Sequence, residues 1–171
     1  MNIYIKHIAT FLLMVLFACK PNNNSIDQVL EQDSLQLFVF LNTDCPICNK
    51  LQGHFHSFED STHATFYVFP GKQPPESVKS WQAYNHILNQ QIILDTNFTI
   101  TNALNAEITP QAVLCQNGKV VYSGLLTDQF MSIGTFKPIA NINYIRKALN
   151  SLQNHEVIQH TKPVGCFIEP H

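Results

Sequence analysis

Apolar positions along the chain follow two rhythms, and their order predicts the elements. Residues 35–41 (LQLFVFL) form a nearly continuous apolar run, as expected of a strand buried on both faces of a parallel sheet. Residues 49–59 have helical spacing, although Gly53 weakens it. Residues 64–69 (ATFYVF) are rich in β-branched and aromatic side chains and stop at Pro70-Gly71, which predicts a second strand. In residues 76–88, Val78, Trp81, Ala83, Tyr84, Ile87 and Leu88 recur at near-helical spacing behind the Pro74-Pro75 pair. A short apolar strand at 92–94 and a small helix at 98–104 follow. Residues 112–115 and 119–123 then read as two strands joined through Asn117-Gly118, a strong hairpin signal, and 143–152 as a last helix. The order is an α/β one: a parallel strand-helix unit, then an antiparallel hairpin and a helix.

The N-terminal region has a different pattern. A short polar start with Lys6 leads into an apolar stretch over residues 8–17, which ends in Leu16-Phe17-Ala18-Cys19. The stretch is too short for a span of roughly 20 residues and has the shape of a signal peptide. A small residue before a cysteine resembles the lipobox of bacterial lipoproteins, which would make Cys19 a lipid anchor. Residues 1–18 are then a signal peptide, 19–29 the anchor and a flexible tether, and 30–171 one folded domain. That implies a lipid-anchored protein facing the periplasm. No aspartate directly follows Cys19, so the outer membrane is somewhat favoured.

Composition narrows the picture in two places. A net charge of -2 gives no reason to propose nucleic acid as a partner. Setting Cys19 aside leaves four of the five cysteines, Cys45, Cys48, Cys115 and Cys166, too few for a small disulfide scaffold.

The chemistry is expected at Cys45-Pro46-Ile47-Cys48, directly after the first strand and at the start of a helix. Two thiols separated by two residues on a first helical turn can close a disulfide with little backbone movement, and a helix N-terminus favours the thiolate that exchange requires. Pro46 suits the first turn, where its missing N–H is not needed. The competing account, half of a zinc site, lacks a second such pair. Cys115 falls inside an apolar strand and reads as core. His54 and His56 are two apart and make a poor helical chelate, though with His63 they could meet across a loop; solvated surface histidines are the expectation, and no metal is expected.

The strand-CxxC-helix opening, Thr109-Pro110 immediately before a strand, and the Asn-Gly hairpin resemble the thioredoxin fold, a three-layer α/β arrangement with a central mixed sheet between helices. The segments ILDTNFTITNALNAEITPQAVLCQNGKVVYSG and TKPVGCFI look more narrowly like its redoxin-type members. The resemblance implies a cis Pro110 that, with Thr109, forms a substrate-docking edge facing Cys45. It also implies that Cys45 attacks a substrate disulfide and Cys48 resolves the mixed disulfide, with no cofactor beyond a redox-active Cys45–Cys48 disulfide. Cys166 is either an additional redox thiol that folds back to Cys45 or Cys48, or a buried thiol beside Phe167 and Ile168.

The expected function is therefore a membrane-anchored thiol-disulfide oxidoreductase acting on protein disulfides outside the cytoplasm, served by a membrane or periplasmic redox partner. Two alternatives stand beside it. A peroxiredoxin-like thiol peroxidase is disfavoured, because Asn42 stands where peroxiredoxins carry threonine and Thr43-Asp44-Cys45 lacks their proline. A copper(I)-binding chaperone of the same fold would need its two cysteines one residue further apart.

Overall fold

The computed structural model describes residues 34–88 and 91–169. Cys19, the apolar N-terminal stretch, the tether and His171 lie outside the described residues. A five-stranded sheet has the order β3-β2-β1-β5-β6, with β1 Leu35–Phe40, β2 Ala64–Pro70, β3 Ile92–Asp95, β5 Gln111–Gln116 and β6 Lys119–Gly124. Strands β1, β2 and β3 are parallel, with Phe38 opposite Phe66 and Val68 opposite Ile93. Strand β5 runs antiparallel to β1 and to β6. This is the parallel unit and hairpin that the hydrophobic pattern predicts. A separate two-stranded sheet pairs β4, Ile108–Thr109, with β7, Cys166–Phe167.

Alternation along β1 sends its side chains to two cores. Leu37, Val39 and Leu41 join one buried cluster with Tyr67, Phe69 and Leu114, whereas Phe38 and Phe40 join a second with Val68, Val113 and Cys115. The first cluster is covered by α1 (Pro46–Lys50), α2 (Pro75–Asn85) and α4 (Tyr144–Gln153), through Val78, Trp81, Ile145 and Ala148. The second is covered by α3, Thr99–Ala103, through Ile100. A sheet with helices on both faces is the three-layer thioredoxin arrangement. Trp81 is the hub of the first core, with the Phe55, Tyr67 and Phe69 rings at 5.2, 5.6 and 5.1 Å.

The helix expected over 49–59 is not continuous. Helix α1 stops at Lys50, Gly53 takes φ 82°, and the chain resumes as a 3-10 turn over Phe55–Phe58. A positive φ is available to glycine at no steric cost, so Gly53 marks the break. The break turns Phe55 into the aromatic core and lets Asn85 Oδ1 accept from the Gly53 N–H at 2.7 Å.

Candidate active site around Cys45

The turn between β1 and α1 is held by polar side chains. The Asp44 N–H donates to Asn42 Oδ1 at 2.7 Å, and Asn49 Nδ2 donates to the Thr43 carbonyl at 3.0 Å. Gln73 clamps the same turn from the β2–α2 connection: its Oε1 accepts from the Thr43 N–H at 2.9 Å, and its Nε2 donates to the Leu41 and Pro70 carbonyls, each at 3.1 Å. Cys45 is thereby fixed as the N-cap of α1, with extended backbone (φ -76°, ψ 117°) and Pro46 in the first turn.

The sulfur of Cys45 is joined to Cys166, 121 residues away, with a Cα–Cα distance of 6.0 Å. The expected Cys45–Cys48 bond is therefore not the one formed in this structure, where Cys48 is a free, buried cysteine, and of the two readings of Cys166 it is the one that folds back to Cys45. The reason lies in where each thiol is carried. Cys48 sits on the inward side of α1, fully buried in the first core. Burial pushes its thiol up from 9.0 to about 12, against smaller opposing effects of the Asn42 backbone and the Thr109 side chain. Cys166 arrives on β7, where Thr109 pairs with Cys166 and Ile108 with Phe167.

Thr109 and Pro110 lie at this junction, joined by a cis peptide bond. The Thr109 carbonyl oxygen is 3.2 Å from Cys45 Sγ, and Thr109 Oγ1 donates to the Cys166 carbonyl at 3.5 Å, the weak end of hydrogen bonding. The structure thus gathers Cys45, Cys48, Thr109, Pro110 and Cys166 in one place. A cleft of about 210 Å³ opens beside them, lined by Asn42, Asp44, Gln73, Phe98, Thr109 and Phe167 among others.

The tail that delivers Cys166 is anchored upstream on β6. The Thr161 N–H donates to the Ser123 carbonyl at 3.2 Å, Thr161 Oγ1 accepts from the Leu125 N–H at 2.8 Å, and the same oxygen shares a 2.8 Å hydrogen bond with the Tyr122 hydroxyl. His160 Nδ1 accepts from the Ser123 N–H at 3.0 Å and its ring stacks on Tyr122. Beyond the disulfide, the Ile168 N–H donates to the Glu107 carbonyl at 2.8 Å.

The histidines divide differently from expectation. His54 and His56 are exposed, but His63 is buried, with Nε2 2.9 Å from the Phe58 carbonyl and Nδ1 3.2 Å from Thr62 Oγ1, so it is a structural residue of that loop. Among the described residues no three histidine, cysteine or acidic side chains gather as a metal-ligand group. Cys115 lies in the second core, where burial pushes its thiol up to about 11.

A family model described as a thioredoxin-like domain matches residues 23–133, more than half of the chain. The chain belongs to the thioredoxin-like family. This thioredoxin-like chain has no match among curated proteins. In fold it is similar to an uncharacterized conserved protein from Geobacillus kaustophilus, with TM-score 0.63, 18% identity, and 83% of this chain and 80% of that one covered. It is also similar to a hypothetical protein from Sinorhizobium meliloti 1021 (TM-score 0.62, 16% identity, coverage 82% and 81%). A third similar structure is a thioredoxin-like protein solved in its oxidized form (TM-score 0.53, 16% identity, coverage 77% and 85%).

Gln73 and Thr161 escape a reading of the sequence, because a single polar residue in a loop has no periodicity to mark it. Gly165 carried a signal: a glycine directly before a cysteine is a place where another backbone can approach closely.

Proposed function

We propose that this thioredoxin-like protein is a thiol-disulfide oxidoreductase acting on protein disulfides, with Cys45 as the exchanging sulfur and Cys166 as the thiol that closes the cycle. The observation that carries the reading is the Cys45–Cys166 disulfide at the N-cap of α1, beside the β4 edge. Reduced Cys45, as thiolate, attacks one sulfur of a substrate disulfide. A Cys45–substrate bond forms, and the other substrate sulfur leaves with the electron pair and takes up a proton. Cys166 thiolate then attacks Cys45 Sγ, the Cys45–Cys166 bond forms, and the substrate's second sulfur leaves reduced. Two electrons pass from the protein dithiol to the substrate, and an external dithiol reductant must restore the protein.

Cys48 is the resolving thiol that its spacing suggests, but its burial and a thiol held near 12 make it a slow nucleophile at neutral pH. The Cys19 lipid anchor and action at the periplasmic face of a membrane, the outer one favoured, belong to the same proposal. They rest on the apolar stretch and small-residue–cysteine ending of the N-terminus.

The test is reduction of an insulin-type protein disulfide by the protein with a dithiol reductant, using single serine variants. Cys45→Ser should be inactive, Cys166→Ser should accumulate a mixed disulfide visible by mass, and Cys48→Ser should retain most of its turnover. Full turnover in Cys45→Ser would overturn the assignment.

A further inference from the structure

Strand β7 does more than carry a thiol. It pairs antiparallel with β4, places its cysteine opposite Thr109, and forms a disulfide to Cys45, so a peptide strand and a bond to the exchanging sulfur are held in one arrangement. That is the arrangement an extended substrate peptide would need in the mixed-disulfide stage of the exchange proposed above. We propose that the segment from Val164 to Ile168 is a tethered stand-in for the substrate. External substrates then dock on β4 in the same register as extended strands, and those with glycine immediately before their reactive cysteine load fastest.

Three observations support this. First, β7 is the strand bridged to β4, so a second strand cannot use the same edge while the tail is seated. Second, a β-carbon at Gly165 would fall inside the van der Waals shell of the Thr109 carbonyl and against Ile108 Cγ2, so the position before the cysteine admits no side chain. Third, Phe167, the position after it, is 78% exposed and leaves that side chain unselected. The site therefore reads one residue closely and its neighbour hardly at all.

The same arrangement sets the sequence of events, and this inference rests on the exchange reading. In the reduced protein the tail leaves β4 while Thr161 and His160 keep it on β6. A substrate strand docks, Cys45 takes its sulfur, and the partner sulfur leaves as thiolate. For resolution, the tail displaces the docked strand as Cys166 attacks Cys45 Sγ and the substrate thiolate departs. Only four residues lie between Thr161 and Cys166, a reach of about 17 Å over the five Cα steps when extended, so the returning thiol stays near its target at an effective concentration on the order of millimolar.

The experiment uses the reduced full chain and two synthetic peptides, Pro-Val-Gly-Cys-Phe-Ile and Pro-Val-Val-Cys-Phe-Ile. Each carries a thionitrobenzoate disulfide on its cysteine, and release of the coloured thiolate is followed. The glycine peptide should load onto Cys45 of the Cys166→Ser variant about tenfold faster or more than the valine peptide, since overpacking against backbone is costly. In the native chain the loaded glycine peptide should be released as Cys45–Cys166 forms. Equal loading of both peptides, with protein disulfides still reduced, would overturn the stand-in and leave the exchange reading intact. No Cys45-dependent release with either peptide and no protein disulfide reduction would instead overturn the exchange reading. A Gly165→Val variant supplies a second readout: its Cys45–Cys166 disulfide should form more slowly on oxidation and be reduced faster by dithiothreitol, and unchanged rates would also overturn the stand-in.

Discussion

Cys48 and Cys166 can both serve Cys45, and both touch the first core, but they differ in burial and in how they are held. Cys48 is three residues from Cys45, fixed on the same short helix and sealed in the first core. Cys166 is 121 residues away, on a half-buried tail held by side-chain hydrogen bonds and a two-residue strand. The nearer thiol in sequence is the one whose proton is hardest to remove. The distant one is paired with the exchanging sulfur. Proximity along a chain supplies a short loop to close, but reactivity also requires solvation of the charged form, and burial withdraws it.

The largest contrast comes from deleting the two partners in turn. Cys45→Ser should lower disulfide exchange to background in an insulin turbidity assay. Cys166→Ser should remove the cross-link across the chain and cost about 2–4 kcal/mol of stability under non-reducing conditions, read as a lowered urea midpoint. An unchanged midpoint would mean that the tail adds nothing to the fold.

The anchor of the tail gives the next effect. Thr161→Val removes the acceptor for the Leu125 N–H and one of the two partners of the Tyr122 hydroxyl, which keeps its 2.6 Å hydrogen bond to the Leu125 carbonyl. A cost of about 1–3 kcal/mol is expected for the N–H left unpaired, together with a severalfold faster reduction of Cys45–Cys166 by dithiothreitol. If stability falls while the reduction rate stays constant, the anchor and the disulfide are independent.

The sealed thiol is sharpened by pH. The folded state holds the Cys48 proton up to about 12, against an ordinary value of 9.0, so folding favours the protonated form. The corresponding stability is fully present below pH 9 and is lost as pH rises from there toward 12. Cys48→Ala should flatten that alkaline decline in a pH series of urea midpoints. At pH 8, iodoacetamide should label Cys48 at least tenfold more slowly in the oxidised native protein than in urea, as opening would be required first.

The smallest effect is expected at a region tied to neither thiol. Asp128 accepts from Lys137 Nζ at 2.7 Å and from the Asn141 and Ile142 N–H groups, and these bonds hold its carboxyl below 3.8, with Lys137 contributing most. Its depressed value favours the folded state above the usual carboxylate range and is lost as pH falls through the folded value. Asp128→Asn should therefore lower the midpoint at pH 7 and have less effect at pH 3, with exchange activity unaltered at either pH.

Much of the fold was legible because strands β1, β2, β5 and β6 are marked by apolar runs and turn residues whose preferences agree with their burial. The Cys45 position and the Thr109-Pro110 junction were legible for the same reason, since each follows or precedes a clear strand. The helix over 49–59 was overextended because apolar spacing continues through Phe55 and Phe58, while the backbone breaks at Gly53. Cys166 was legible as a thiol able to fold back to Cys45 or Cys48, but the path that brings it there was not. Residues 154–165 have no regular spacing, and their course is set by isolated contacts of Thr161, His160 and Gly165 with backbone elsewhere. Such contacts leave no period in a sequence.

The hold of residues 160 and 161 on Ser123 has a consequence for association between molecules. Strand β6 ends the five-stranded sheet, and an open strand of that kind invites another chain to extend the ladder. The tail takes both the Ser123 N–H and its carbonyl, so this margin of the sheet offers a neighbouring molecule fewer free groups on which aggregation could start.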